Sequence, residues 1–178
     1  MLLNPCARSL DRFAAALIAP NLGEITEPMV HDNDVPKLSH PKMSAAEVNL
    51  FLVEVFPQID IGRAYKVEET RHGFARMRMV YGDHLLRPGG TISGPAMFAL
   101  ADVAMYAAVL ASIGPVAHAV TTNLTINFLR KPDQRDMLGE ARLLKLGKRL
   151  AVGEIALCSD GETDLAAHAT ATYSLPHH

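Results

Sequence analysis

The sequence predicts an α+β protein in which a single antiparallel sheet wraps around one long central helix. Three observations predict it. The run 90–114 is apolar along its whole length and carries one charge, Asp102. After Pro115 the pattern changes to period two, interrupted by tight polar turns. A shorter helix and two further strands precede the run, and a curved sheet is the simplest way to bury a helix that is apolar all round.

The chain has 178 residues, 49% apolar and 20% charged, enough for one domain with a sizeable core. Its formal net charge of −2 argues against any general attraction to nucleic acid or to an anionic membrane. Two cysteines, Cys6 and Cys158, do not make a disulfide framework, so reduced thiols and a cytoplasmic location are expected. Arg8, Asp11 and Arg12 interrupt the apolar residues of the first twenty positions, which argues against a secretory signal. The central run is long enough to suggest a bilayer span. An acid at its middle and amphipathic strands around it favour a buried helix instead.

Residues 1–42 stand apart. Pro28, Pro36 and Pro41 lie among acids without periodicity, so a loop-rich or poorly ordered extension is expected, with a short amphipathic helix at 8–18. The domain proper is expected at 43–178. Ser44 and Glu47 form a capping-box pattern, and Val48, Phe51, Leu52 and Val55 share one face of a helix over 45–55 that Pro57 ends.

Two strands follow, 61–69 and 74–81, joined by a hairpin at Thr70-Arg71-His72-Gly73. In the second, Ala75, Met77, Met79 and Tyr81 alternate with Arg76 and Arg78, so one face is buried. A loop over 83–90 then delivers the chain to the long helix, a common place for a site. Ser93 or Gly94 serves as N-cap, Pro95 occupies an early helical position that needs no N–H, and Gly114-Pro115 stops the helix. Four strands complete the chain: 120–128, 137–146, 150–158 and 165–175. In the first, Val120, Thr122, Leu124, Ile126 and Phe128 are expected on one side and Thr121, Asn123, Thr125 and Asn127 on the other. Turns at Gly147-Lys148-Arg149 and Ser159-Asp160-Gly161 imply antiparallel neighbours.

Asp102 is the first candidate for chemistry. A lone carboxylate in apolar surroundings is costly to ionise, so a raised pKa is expected, and such groups often serve a site. The helix N-terminus is the second candidate. Its unpaired N–H groups, that of Gly94 among them, suit a carbonyl oxygen or an oxyanion. Eight positions separate Gly94 from Asp102, roughly 12 Å along a helix. One small carbonyl cannot touch both within one chain. If both serve one site, two copies of the helix must lie antiparallel across a subunit interface.

These residues resemble a known family. Gly90-Thr91-Ile92-Ser93-Gly94-Pro95 followed by Leu100-Ala101-Asp102 is similar to the turn and helix acid of hotdog-fold acyl-CoA thioesterases of the phenylacetate-degradation type. The stretches 120–132 and 144–151 are similar too, and the resemblance covers roughly residues 45–175. It implies a hydrolase that cleaves an acyl-CoA thioester to the free acid and CoA, as a homodimer or a dimer-of-dimers tetramer, with no cofactor. Asp102 would be general base or nucleophile, Gly94 N–H of the partner chain the oxyanion donor, and Thr121 a group holding the attacking water.

Three positions depart from the family: Ser93 replaces a His, Pro95 a second Gly, and Arg87 a frequent Asn. A non-catalytic acyl-CoA-binding hotdog protein is therefore the alternative. A hotdog dehydratase would need a His at the motif. Ser93 is expected to cap the helix or to bond substrate, since it lacks the Gly-x-Ser-x-Gly elbow. Arg87 could meet a substrate carboxylate or a CoA phosphate. Arg130, Lys131, Lys148 and Arg149 stand at turns where they could hold CoA phosphates. No His or Cys spacing for zinc is present, so no metal is expected.

Overall fold

Ser93 opens the long helix. The computed structural model, which describes residues 40–176, has elements α1 (Ala45–Val55), β1 (Tyr65–Arg71), β2 (Phe74–Met79), β3 (Leu86–Arg87), β4 (Thr91–Ile92), α2 (Gly94–Ile113), β5 (Val120–Phe128), β6 (Met137–Leu146), β7 (Leu150–Ser159) and β8 (Ala167–Ser174). Six strands form one antiparallel sheet in the order β1-β2-β6-β7-β8-β5, while β3 and β4 pair separately. The expected extension up to residue 39, with its helix at 8–18 and Cys6, lies outside the described residues. Lys42 N–H donates to the Ala111 carbonyl (2.7 Å), so the chain is tied to α2 before α1 begins.

Sheet and helix meet through small residues. Ala75, Ala141, Ala151, Ala167, Ala169 and Ala171 are all buried, and Ala101, Ala104, Ala107, Ala108 and Ala111 are buried on α2. Two glycines go further. A methyl group at Gly139 would sit 3.1 Å from Leu100 Cγ, and one at Gly153 would sit 2.6 Å from Met105 Sδ. These close approaches let one sheet cover most of a 20-residue helix. α2 is long and apolar enough to cross a bilayer, but most of it is buried in this core.

Both helix starts follow the sequence. The Ser44 hydroxyl accepts from Glu47 N–H and Glu47 accepts from Ser44 N–H, the reciprocal capping box. Ser93 Oγ accepts from Ala96 N–H (3.4 Å), and Gly114 closes α2 with φ +96°.

Several boundaries move for local reasons. The first strand begins at Tyr65 rather than 61, because Pro57–Ile59 form a 3-10 turn and Asp60 and Gly62 take positive φ. β2 ends at Met79, since Tyr81 N–H leaves the ladder for Asp136 Oδ1 (2.9 Å). The loop at 83–90 contains a 3-10 turn at Asp83–Leu85 and the strand β3. β8 is shorter than 165–175 at both ends.

The expectation of burial all round is corrected. From Val103 to Ser112 every residue of α2 is buried, but Pro95 and Phe98 are exposed and Asp102 is half-buried. Gly94, Phe98 and Asp102 recur every four residues and so share a face. The sheet reaches only one side of the helix there, and the neighbouring edge strand β5 leaves Val120 and Phe128 exposed, as is Leu129 just after it.

Candidate active site

Asp102 sits at the border of the uncovered face of α2, where the start of β5 and the end of β8 meet the helix. The strict alternation expected for β5 would turn Thr121 away from Leu124. An irregularity in the pairing of β5 with β8 resets the phase: Thr121 pairs with Tyr173, but Asn123 pairs with Thr172. Thr121 therefore faces the helix with Tyr173 beside it.

Both side chains reach the acid. Thr121 Oγ1 donates to Asp102 Oδ1 at 2.6 Å. Tyr173 OH donates to the same oxygen at 2.6 Å, with the Asp102 carbonyl at 2.9 Å as its alternative acceptor. These are short bonds of the charge-assisted kind. The picture of an isolated carboxylate in dry surroundings is thus corrected: Asp102 is half-buried and carries two hydroxyl donors.

Burial first, and the Asp102 charge second, hold the Tyr173 phenol far above the usual tyrosine range. It remains a donor at any working pH. Its ring stacks on Tyr106, with centroids 6.1 Å apart, and Tyr106 OH is anchored on the Val116 carbonyl (2.8 Å).

A cleft of about 370 Å³ opens at the acid. Val55 and Phe56 from the end of α1, Tyr106, Ala117, Ala119, Val120 and Tyr173 wall it, and Asp102 is the one charged residue in its lining. It can hold an apolar group beside a carboxylate.

The other end of the same helix face is different in character. A cavity of about 440 Å³ is lined by Gly94, Thr91, Ile92, Met97 and Phe128, together with Arg87, Arg130 and Lys131. Three cations and no carboxylate line it, and the first N–H groups of α2 add positive potential. A methyl group at Gly94 would lie 3.1 Å from Phe128 Cζ, so glycine lets that ring lie over the helix start. Arg87 Nε donates to Thr91 Oγ1 (3.0 Å), and Arg130 is paired with Asp164.

The structure brings some of the expected site residues together and separates others. Asp102 and Thr121 form one cluster. Gly94, Arg87, Arg130 and Lys131 form the second, roughly 12 Å away along α2. Ser93 lines neither opening, and its hydroxyl serves the N-cap. Lys148 and Arg149 lie in the β6–β7 turn, outside both linings. That turn is at the Asp102 end of the sheet, because Leu150 pairs with Ser174 and Ser174 with Val120. The four turn cations are therefore not one cluster within a chain: the sheet puts two at each end.

Tyr173 was not among the expected site residues. A sign of it is present in the sequence, since the inward positions of β8 read Ala167, Ala169, Ala171, Tyr173, one large polar ring on an alanine face. Among the described residues, no group of three or more His, Cys, Asp or Glu side chains could hold a metal ion.

Comparison with known proteins agrees on the family. The thioesterase superfamily model matches residues 89–166, a span that includes Gly94, Asp102 and Thr121. A protein of Saccharolobus solfataricus provisionally named an esterase is 33% identical over 135 residues, covering 75% of this chain and 86% of that one. A crystal structure of a provisionally named thioesterase from a Silicibacter species is 47% identical, covers 79% of this chain and 94% of its own, and superposes with a TM-score of 0.68. A variant of a phenylacetic acid degradation protein from Thermus thermophilus is 25% identical, with 67% and 99% of the two chains covered and a TM-score of 0.59.

Proposed function

The chain belongs to the thioesterase superfamily and has its hotdog fold; from that premise we propose that it hydrolyses an acyl-CoA thioester to the free acid and CoA. The observation that carries the reading is Asp102. It is a carboxylate presented to an apolar cleft by two hydroxyl donors, on a helix with no other charge.

Asp102 takes a proton from water as the water oxygen attacks the thioester carbon. The carbonyl oxygen becomes an oxyanion, held by Gly94 N–H and the positive end of α2. Collapse of the tetrahedral intermediate breaks the C–S bond, and the proton on Asp102 goes to the departing thiolate. In the nucleophilic version Asp102 attacks the carbon itself and water cleaves the resulting anhydride. The Thr121 hydroxyl gives its proton to Asp102, and its oxygen can still accept a hydrogen bond from the water.

Gly94 and Asp102 of one chain are too far apart for one carbonyl, so the site is assembled by two copies with antiparallel central helices. The exposed apolar stripe of α2 and the edge strand β5 support this pairing. Such a pairing sets the cationic cavity of one protomer against the apolar cleft of the other. The acyl group lodges by Asp102 and the anionic CoA by Arg87, Arg130 and Lys131, with Lys148 and Arg149 arriving from the partner.

Release of free thiol from a panel of acyl-CoA esters tests the reading. Asp102→Ala is expected to lower the rate by about a hundredfold or more while the protein stays folded and oligomeric. A folded Asp102→Ala that hydrolyses at the wild-type rate would overturn the mechanism. Tight acyl-CoA binding without thiol release across the panel would favour a non-catalytic acyl-CoA-binding protein.

A further inference from the structure

We infer that Tyr173 is a positioning residue for hydrolysis: together with Thr121 it pins Asp102 by Oδ1 and so makes Oδ2 the oxygen that acts on water or on the acyl carbon. The inference rests on the proposed thioesterase reading and adds which oxygen of the acid does the work, and why.

An ionised carboxylate has about four acceptor positions, two on each oxygen. Two hydroxyls at 2.6 Å occupy both positions of Oδ1. Oδ2 has no hydrogen-bond partner among the described residues, and the carboxylate borders the open cleft. The two oxygens are thus made unequal by the protein. One is committed to orientation, and the other keeps its lone pairs for a proton or a carbon.

Tyr173 is built for this task. It is 3% exposed, so its hydroxyl has little water to turn to. The stack on Tyr106 fixes the plane of its ring, and Tyr106 lies one helical turn beyond Asp102 on the same face, with its own hydroxyl anchored at Val116. The donor thus approaches Asp102 from a support that includes the helix carrying it. Thr121 reaches the same oxygen only because the β5 irregularity turns it inward beside Tyr173. Two donors from two strands on a single oxygen hold the side-chain torsion of the acid, which one donor would leave free to rotate. A misplacement near 1 Å can cost about a hundredfold in rate.

Tyr173→Phe tests this by removing one oxygen while keeping the ring in its stack. The expected result is a folded protein of unchanged oligomeric state whose melting temperature falls by no more than several degrees, a KM for acyl-CoA within about twofold of wild type, and a kcat lower by about tenfold to a hundredfold. Thr121→Val is expected to show the same split, with kcat lowered and KM kept. A proton NMR spectrum gives a readout independent of turnover. The short Tyr173–Asp102 bond is expected to show a slowly exchanging, downfield hydroxyl resonance in the wild type that is missing in Tyr173→Phe and Asp102→Ala. Full kcat in Tyr173→Phe, with Asp102→Ala inactive, overturns the inference and leaves the thioesterase reading intact. Absence of the resonance from the wild-type protein also overturns it. Absence of thiol release from the wild-type protein across the panel overturns the thioesterase reading itself, and equal turnover by Asp102→Ala and wild type overturns the role of Asp102 on which the inference rests.

Discussion

Adding one methyl group at Gly153 should loosen the whole domain. Gly153 lies on β7, facing Met105 of α2. An ideal Cβ there would stand 2.6 Å from Met105 Sδ, 2.8 Å from the Arg142 carbonyl oxygen and 2.9 Å from Met105 Cε. All three distances are shorter than real Cβ contacts, so something must move by several tenths of an ångström. Met105 is fully buried and has no solvent to swing into, and the Arg142 carbonyl is backbone of the neighbouring strand β6. Overpacking of this kind costs about 1–3 kcal/mol, and replacing a strand glycine returns about 0.5–1 kcal/mol of that. The difference is at most about 2.5 kcal/mol, and because one clashing atom is the backbone oxygen of Arg142 the upper part of that range, about 1–2.5 kcal/mol, is expected, a melting temperature lower by roughly 2–10 °C for a chain of this size. Calorimetric melting of Gly153→Ala beside wild type, at one protein concentration, measures it. A melting temperature within about 1 °C of wild type would refute the idea that α2 and the sheet are held at glycine-limited distance.

Gly94→Ala meets the far end of a side chain, Phe128 Cζ, rather than backbone, and Gly94 does not have a positive φ; its melting temperature should stay at the wild-type value while thiol release falls, and a melting drop like that of Gly153→Ala would contradict this. Phe98→Glu puts a charge on the uncovered face of α2 between Gly94 and Asp102, so light scattering should find monomers and activity should vanish with the dimer; an active monomer would sink the shared-site reading.

Much of the architecture is legible locally. Ser93 and Gly114 delimit α2, Ser44 with Glu47 starts α1, and the turn at 147–149 places β6 and β7 to within a residue at either end. Each signal acts between residues a few positions apart, so the chain's own neighbours suffice to read it. The first strand was less legible, because the left-handed conformation of Asp60, a non-glycine residue, breaks the pattern without a marker in the sequence. Asp102 was conspicuous by its apolar neighbours, and its distance from Gly94 follows from helical rise alone.

The sequence by itself determined the helix, the number and order of the main strands, and the separation of acid from helix start, since these depend on propensity, capping and periodicity. Tertiary structure alone decided what surrounds the acid. Tyr173 stands 71 positions from Asp102, and Thr121 meets it only because the β5–β8 pairing slips by one residue. It also decided which stretch of an evenly apolar helix stays uncovered, and which turn cations share a cavity. Contacts of that range are set by how the sheet curves over α2 and by strand register, and no local pattern encodes either.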